Sequence, residues 1–332
     1  MKKAIITGIT GQDGGYLAKL LLSKGYKVYG AQRRNTGKRY WRLDELGIRD
    51  DIEIVDIDLT EPYNISKLLD KIQPDEFYNL AAQSFVALSF EQPQVTTLTN
   101  ANGVLNILDA IRHNHPNVKF YQASTSEMFG KVLETPQRET TRFWPRSPYG
   151  CAKAYAHHLT VNYRESYNLH LNCGILFNHE SPMRGEEFVT RKITKGLVQW
   201  LKNGKPLELG NLDSKRDWGH AEDYVEAMWL MLQQEQPDDY VIATGKTYSI
   251  KDFIVKCLDQ LEIIYFNEGD QFRDNHGNYI IKTNPKFVRP AEVDLLIGDP
   301  MKAKEKLLWK PKHSLDSLIK DMIKVDLKRY GK

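Results

Sequence analysis

Cysteine is scarce: Cys151, Cys173 and Cys257 are the whole complement of a 332-residue chain. An odd, widely spaced set suits neither a disulfide framework nor a zinc cluster, so reduced, buried thiols are expected. No apolar run approaches the roughly 20 residues that a membrane-spanning helix requires. Met1 leads straight into the strand-like Ala4-Ile5-Ile6, leaving no room for a signal peptide, so a cytoplasmic location is expected. An excess of one charge is also missing. The 46 basic and 43 acidic residues leave a net charge of +3 and are mixed along the chain, which argues against nonspecific nucleic-acid or membrane binding. His113, His115, His157 and His158 lack companion ligands, so no metal is expected. Internal repeats, low-complexity tracts and heptad arrays are absent.

What remains is an ordinary globular composition in a chain long enough for about two domains. Short apolar runs at 4–6, 27–30, 52–55, 76–80, 118–123 and 171–176 alternate with helical patterns. Near-continuous apolar strands between helices predict an α/β fold with a Rossmann-type doubly wound parallel sheet. The spacing becomes irregular after Asn178. This predicts a dinucleotide-binding domain over 1–178 and, over 179–332, a smaller and mainly substrate-binding domain with segments able to return to the first sheet. Near the end, Leu315, Leu318, Ile319, Met322 and Ile323 recur at helical spacing and read as core.

Gly8, Thr10, Gly11, Gln12, Asp13 and Gly14 follow the first strand and open a helix, where backbone must approach a pyrophosphate. About 20 residues further on, where NAD-binding chains carry an acidic residue, Arg33, Arg34 and Asn35 stand instead. Guanidinium groups suit a 2′-phosphate, so NADP is expected over NAD. Asp58 and Leu59 are expected at the adenine, and Leu80, Ala81, Ala82, Gln83 and Ser84 along the dinucleotide.

Tyr149 and Lys153 sit four apart near the start of a predicted helix, which places them on one face. A nearby ammonium favours phenolate and is expected to lower the phenol toward a useful range. Thr125 lies at the end of the preceding strand and can hydrogen-bond a sugar oxygen undergoing oxidation. Glu127 follows as a carboxylate able to take a carbon-bound proton and protonate a leaving hydroxyl.

These residues resemble the GDP-mannose 4,6-dehydratase family of extended short-chain dehydrogenases. The matching stretches are 6–14, 121–130, 145–149, 174–182, 188–194, 210–219 and 289–294, so the resemblance covers nearly the whole chain. It implies a hydro-lyase acting on a GDP-sugar, with NADP⁺ taking hydride from C4 and returning it to C6. It carries His179 and Arg184 to the cofactor site. The substrate site it implies comprises Ser84, Thr125, Ser126, Glu127, Asn178, Val189, Lys192, Gly210, Lys215, Arg216, Arg289 and Glu292.

The family is oligomeric, so a homodimer or homotetramer is expected, with the segment 36–42 as a candidate interface. Val95, Phe85 and the pair His157-His158 depart from the family's commonest pattern. A GDP-manno-heptose dehydratase, a related epimerase or reductase, and a noncatalytic NADP sensor are the alternative readings.

Overall fold

In the computed structural model, residues 1–34, 37, 40–287 and 295–331 are described. Strands β1 (Lys3–Thr7), β2 (Lys27–Gln32), β3 (Glu53–Asp56), β4 (Glu76–Asn79), β5 (Lys119–Thr125) and β6 (Leu171–Leu176) match the six apolar runs to within two residues. The short β7 (Asn178–Glu180), β8 (Leu207–Leu209), β9 (Lys215–Arg216) and β10 (Trp218–His220) precede β11 (Asp239–Ile242). After it come β12 (Tyr248–Ser249), β13 (Tyr265–Glu268), β14 (Gln271–Asp274) and β15 (Tyr279–Thr283). Helices α1 (Gln12–Ser23), α2 (Trp41–Glu45), α3 (Pro62–Ile72), α4 (Val86–Glu91), α5 (Pro93–Thr97), α6 (Gly103–Asn114) and α7 (Pro148–Tyr167) fill the first half. They are followed by α8 (Val189–Asn203), α9 (Ala221–Gln233), α10 (Ile250–Gln260), α11 (Met301–Lys306) and α12 (Leu315–Tyr330).

The main sheet has seven strands in the order β11-β6-β5-β4-β1-β2-β3, all parallel. This is the fold class read from the sequence. Strands β4 and β6 are buried along their whole length, which explains why they read as continuous rather than alternating apolar runs. Leu17 and Leu21 of α1 pack with Met228 and Met231 of α9 on one face. Ile65 and Leu69 of α3, Ile107 of α6 and Ala156 of α7 cover the other. Strand β11 joins the edge of this sheet beside β6, although it follows residue 178.

The smaller lobe is built on the sheet β13-β14-β15-β8. Ile193, Leu197, Phe253, Phe272 and Ile281 form its core with the closing stripe Leu315, Leu318, Ile319, Met322 and Ile323. Each such side chain, once buried, contributes roughly 1.5–3 kcal/mol of hydrophobic stabilisation.

Strand order reverses between β1 and β4, and a crevice opens beyond the carboxyl ends of the strands at that point. A buried polar network fixes its floor. The Thr7 hydroxyl donates to Asn79 Oδ1 at 2.8 Å and accepts the Leu80 and Ala81 N–H groups at 3.0 Å. Asn79 Nδ2 donates to Gln122 Oε1 at 2.9 Å, which ties β5 to the same point. Gly8 has φ of 71°, and a Cβ there would meet the Leu80–Ala81 backbone at 3.0 Å. A Cβ on Gly14 would lie 2.4 Å from the Gly8 carbonyl oxygen, so α1 packs on the fingerprint turn only with glycine at that position. Gly14→Ala should therefore lower stability by about 1–3 kcal/mol. A urea midpoint equal to the parent's would contradict this packing.

Candidate active site

Helix α7 starts where it does because the Ser147 hydroxyl accepts the Gly150 N–H at 3.0 Å, with Pro148 in the first turn. Tyr149 and Lys153 thus fall in the opening turns on one face, 7% and 4% exposed. Opposite them β5 ends at Thr125, whose hydroxyl accepts the Glu127 N–H at 3.3 Å and caps a tight turn over Ser126–Met128. A Cβ on Gly150 would stand 2.8 Å from the Glu127 carbonyl oxygen, so the turn rests directly on the helix backbone. Thr125, Ser126, Glu127, Tyr149 and Lys153 consequently line one cleft of about 890 Å³.

Burial controls the charges there. The Tyr149 phenol is pushed up to about 12 by removal from water, and a hydrogen bond from Thr125 offsets this only in part. This reverses the expected direction. The Lys153 ammonium donates to the Ala123 carbonyl at 2.8 Å and lies 5.9 Å from the Tyr149 ring centre. Burial lowers Lys153 itself to about 8.

The fingerprint forms the other end of the cleft. Gly8, Gly11, Gln12, Asp13 and Gly14 line it, and the helix N-terminus leaves N–H groups without intrahelical partners. Gln12 turns its amide inward, donating to the His179 carbonyl at 3.1 Å and accepting from the Ser181 hydroxyl at 2.7 Å. Asp13 faces His179 Nε2 at 2.8 Å, while His179 Nδ1 faces the Phe177 carbonyl at 2.7 Å. With an acceptor on each ring nitrogen, His179 is an imidazolium donating from both. Burial opposes both charges, but the pairing prevails: Asp13 is held below the usual carboxylate range and His179 above the usual imidazole range. Beneath them, Tyr224 stacks on His179 with ring centres 4.6 Å apart.

Leu80, Ala82, Ser84, Asn178, Arg184, Val189, Lys192, Gly210 and Arg216 also line the cleft. Thr10, Arg33, Arg34, Asp58, Leu59, Ala81, Gln83 and Lys215 do not. Thr10 offers its carbonyl to Arg42 at 2.9 Å, and Leu59 is buried in the core. Arg33 and Arg34 stand exposed after β2. Thr60 donates to Asp58 through its N–H and hydroxyl, lowering that carboxyl against some burial, with help from Arg33. The Ala81 N–H is used by Thr7, and Gln83 donates to Asn100 and to the Phe85 carbonyl at 2.9 and 3.0 Å. Lys215 is exposed and bridges to Leu295. Asn35, Arg289 and Glu292 lie outside the described residues.

Arg42, Glu187, Glu208 and Phe287 line the cleft from outside the stretches that carry the resemblance, and Glu180 and Phe188 line it from within them without having been singled out. The Arg184 guanidinium lies 3.7 Å from the Phe188 ring centre and pairs with Glu180 at 3.0 Å. Of the departures from the family pattern, Phe85 lines the cleft against Phe188, whereas Val95 is exposed and outside it. His157 is buried against Ser124 at 3.0 Å, pushed down to about 4 by burial, and shares a ring cluster with His158 and Phe143. Among the described residues, His220, Glu222 and His313 bring ligand-type atoms within 4.8 Å of one another. Their Nδ1 atoms are already engaged, by the Glu222 N–H and by Asp223.

A family profile described as GDP-mannose 4,6 dehydratase matches residues 5–322. The chain belongs to the GDP-mannose 4,6-dehydratase family. Among curated members, GDP-mannose 4,6-dehydratase of Vibrio cholerae is 48% identical over 350 residues, covering 98% of this chain and 94% of the relative. The enzyme of that name from Drosophila melanogaster is 50% identical, covering 100% and 87%, and the Homo sapiens one is 47% identical, covering 98% and 91%. Solved structures share the family's fold at lower identity. UDP-glucose 4-epimerase of Thermotoga maritima with UDP-glucose superposes with a TM-score of 0.84 at 24% identity, covering 98% of this chain and 99% of that one. The dTDP-glucose 4,6-dehydratase of Bacillus anthracis in complex with NAD gives 0.82 at 18% identity, covering 99% and 97%. Among the described residues, no helix is long and apolar enough to cross a membrane.

The paired Asp13 and His179 give a signed pH dependence. The raised His179 stabilises the fold below its unfolded value near 6.5, and that contribution is lost as pH rises through the folded value. The depressed Asp13 contributes above its unfolded value near 3.8 and is lost as pH falls through the folded value. The pair's contribution to the parent's resistance to urea should therefore fall as pH rises above about 6.5. His179→Gln should be less stable at pH 6 and lose that slope. Equal slopes in the two proteins would contradict the imidazolium assignment.

Proposed function

We propose that the protein converts GDP-mannose to GDP-4-keto-6-deoxy-mannose, eliminating water with NADP as an internally recycled cofactor. The observation that carries this reading is the meeting of Thr125, Glu127, Tyr149 and Lys153 in the cleft that the fingerprint also lines. An oxidation alone has no use for Glu127, whereas elimination needs a group to move a carbon-bound proton. Family membership at close to half identity over almost the full length supports GDP-mannose as substrate.

The fingerprint suits a dinucleotide. Glycines leave room where a Cβ would collide with backbone, and the first residues of α1, whose N–H groups lack intrahelical partners, line the cleft. When bound, the dinucleotide would be held by the fingerprint residues and would supply a hydride acceptor for C4 in its oxidised form and a hydride donor for C6 in its reduced form. Tyr149 takes the C4 hydroxyl proton, with the Thr125 hydroxyl and the Lys153 ammonium favouring the phenolate. A phenol held near 12 makes this charge assistance necessary at neutral pH. Oxidation at C4 acidifies C5. Glu127 removes the C5 proton and delivers it to the departing C6 hydroxyl, which leaves as water, and the proton that Tyr149 took from the C4 hydroxyl returns to C5 as C6 is reduced, restoring both side chains.

Arg33 and Arg34 stand where an acidic residue would select NAD, which supports NADP. We assign residues 1–178 to the cofactor and most of 179–332 to the nucleotide sugar. A cytoplasmic homo-oligomer, dimer or tetramer, completes the reading.

Incubation with GDP-mannose should give a product lighter by one water with no net consumption of NADPH. A product of unchanged mass would point instead to an epimerase. Glu127→Gln should bind NADPH and GDP as the parent does yet lose roughly 10²–10⁴ in turnover. Parental turnover in that variant would remove the role given to Glu127. Arg33→Gln should weaken NADPH binding about tenfold and leave NADH binding unchanged, while an equal effect on both would place Arg33 away from the 2′-phosphate.

A further inference from the structure

The closing helix α12 belongs to the small lobe by its apolar stripe, but its last turn reaches across to the dinucleotide-binding lobe. Arg329, 16% exposed, donates from one nitrogen to the Pro182 carbonyl at 2.6 Å. From its other terminal nitrogen it donates to Glu45 Oε2 of α2 at 2.6 Å, and the same nitrogen lies 3.6 Å from Met183 Sδ. The guanidinium also lies 5.1 Å from the Trp41 ring centre.

Arg42 meets the same loop from the opposite side. It donates to the Met183 carbonyl at 2.7 Å and the Thr10 carbonyl at 2.9 Å, and lies 4.4 Å from the Trp41 ring centre. One helical turn before Arg329, Asp326 pairs with Arg191 of α8 and accepts from Thr194 at 2.7 Å, which anchors α12. Next to Arg329, Tyr330 donates to Glu186 at 2.7 Å.

Residues 182–186 are therefore gripped from the small lobe by Arg329 and Tyr330, and from the fingerprint side by Arg42. Between these holds the loop presents Arg184 to the cleft, stacked on Phe188. A guanidinium can make this bridge because its fork directs two strong donors at acceptors on different segments, which a lysine cannot match.

We infer that Arg329 is a positioning residue for the cofactor site: it locks the 182–186 loop and α2 in one arrangement, so that Arg184 is pre-set toward the dinucleotide. The inference rests on the proposed function. No part of Arg329 touches the reacting groups, and its effect passes through the loop it holds.

The test uses the full-length protein and its variants Arg329→Lys, Arg329→Met and Glu45→Gln, with NADPH binding followed by nicotinamide fluorescence and GDP binding by calorimetry. Arg329→Met should raise the NADPH dissociation constant about tenfold, or about 1.4 kcal/mol, with GDP affinity within about twofold of the parent. Arg329→Lys and Glu45→Gln, each keeping part of the bridge, should raise it by about threefold to fivefold. In steady state the loss should appear in KM for the cofactor, with kcat at saturating cofactor within about threefold. NADPH affinity within twofold of the parent in Arg329→Lys and Glu45→Gln would overturn the inference, even if Arg329→Met fails to fold. So would GDP affinity falling as much as NADPH affinity. A parent that binds neither NADPH nor NADH would overturn the proposed function, and this inference with it.

Discussion

The backbone carbonyl of Glu127 rests against the Cα of Gly150, and the chemistry attributed to the cleft depends on that contact. A Cβ at 150 would stand 2.8 Å from that oxygen, well inside contact distance. With hydrogen there, the turn after β5 and the first turn of α7 pack directly, and side chains 22 or more residues apart share one cleft. The sheet makes the approach reproducible, because Thr7, Asn79 and Gln122 tie the ends of β1 and β4 to the middle of β5 in a buried network. Positions set by packed strands and a capped helix need little reorganisation when charge moves, which is the condition for electrostatic catalysis.

Burial that gives this rigidity also works against ionisation. Tyr149 is pushed up and Lys153 down, each away from its charged form. At neutral pH the Tyr149 phenol is therefore protonated while Lys153, at about 8, still carries its charge, so the ammonium remains available to favour the phenolate. The Asp13–His179 pair follows the other rule: two buried charges persist because each satisfies the other and the second imidazole nitrogen has its own acceptor.

The fold, and the convergence of Thr125, Glu127, Tyr149 and Lys153 on one cleft, were legible in the sequence because both are encoded locally. Strand runs, the glycine spacing and the four-residue step from Tyr149 to Lys153 are short-range patterns that a helix or strand converts into geometry. The orientation of each residue within a motif was not legible. Gln83 and Ala81 sit in the right segment, yet hydrogen bonds to Phe85, Asn100 and Thr7 engage them, and Leu59 is claimed by the core. Glu187 reaches the cleft from a turn with no period to betray it, Arg42 from a helix of only five residues, and Arg329 acts across 284 positions of sequence. The upward shift of the Tyr149 phenol was also hidden, because desolvation is a property of the packed interior rather than of a four-residue spacing.

The central claim is that one sugar ring is oxidised, dehydrated and reduced without leaving the cleft. GDP-mannose carrying deuterium at C4, followed by mass and NMR analysis of the product, tests it most directly. The account predicts that the label reappears on C6 of the same molecule, even when unlabelled GDP-mannose is present in excess. Deuterium scattered among product molecules, or retained at C4, would contradict it.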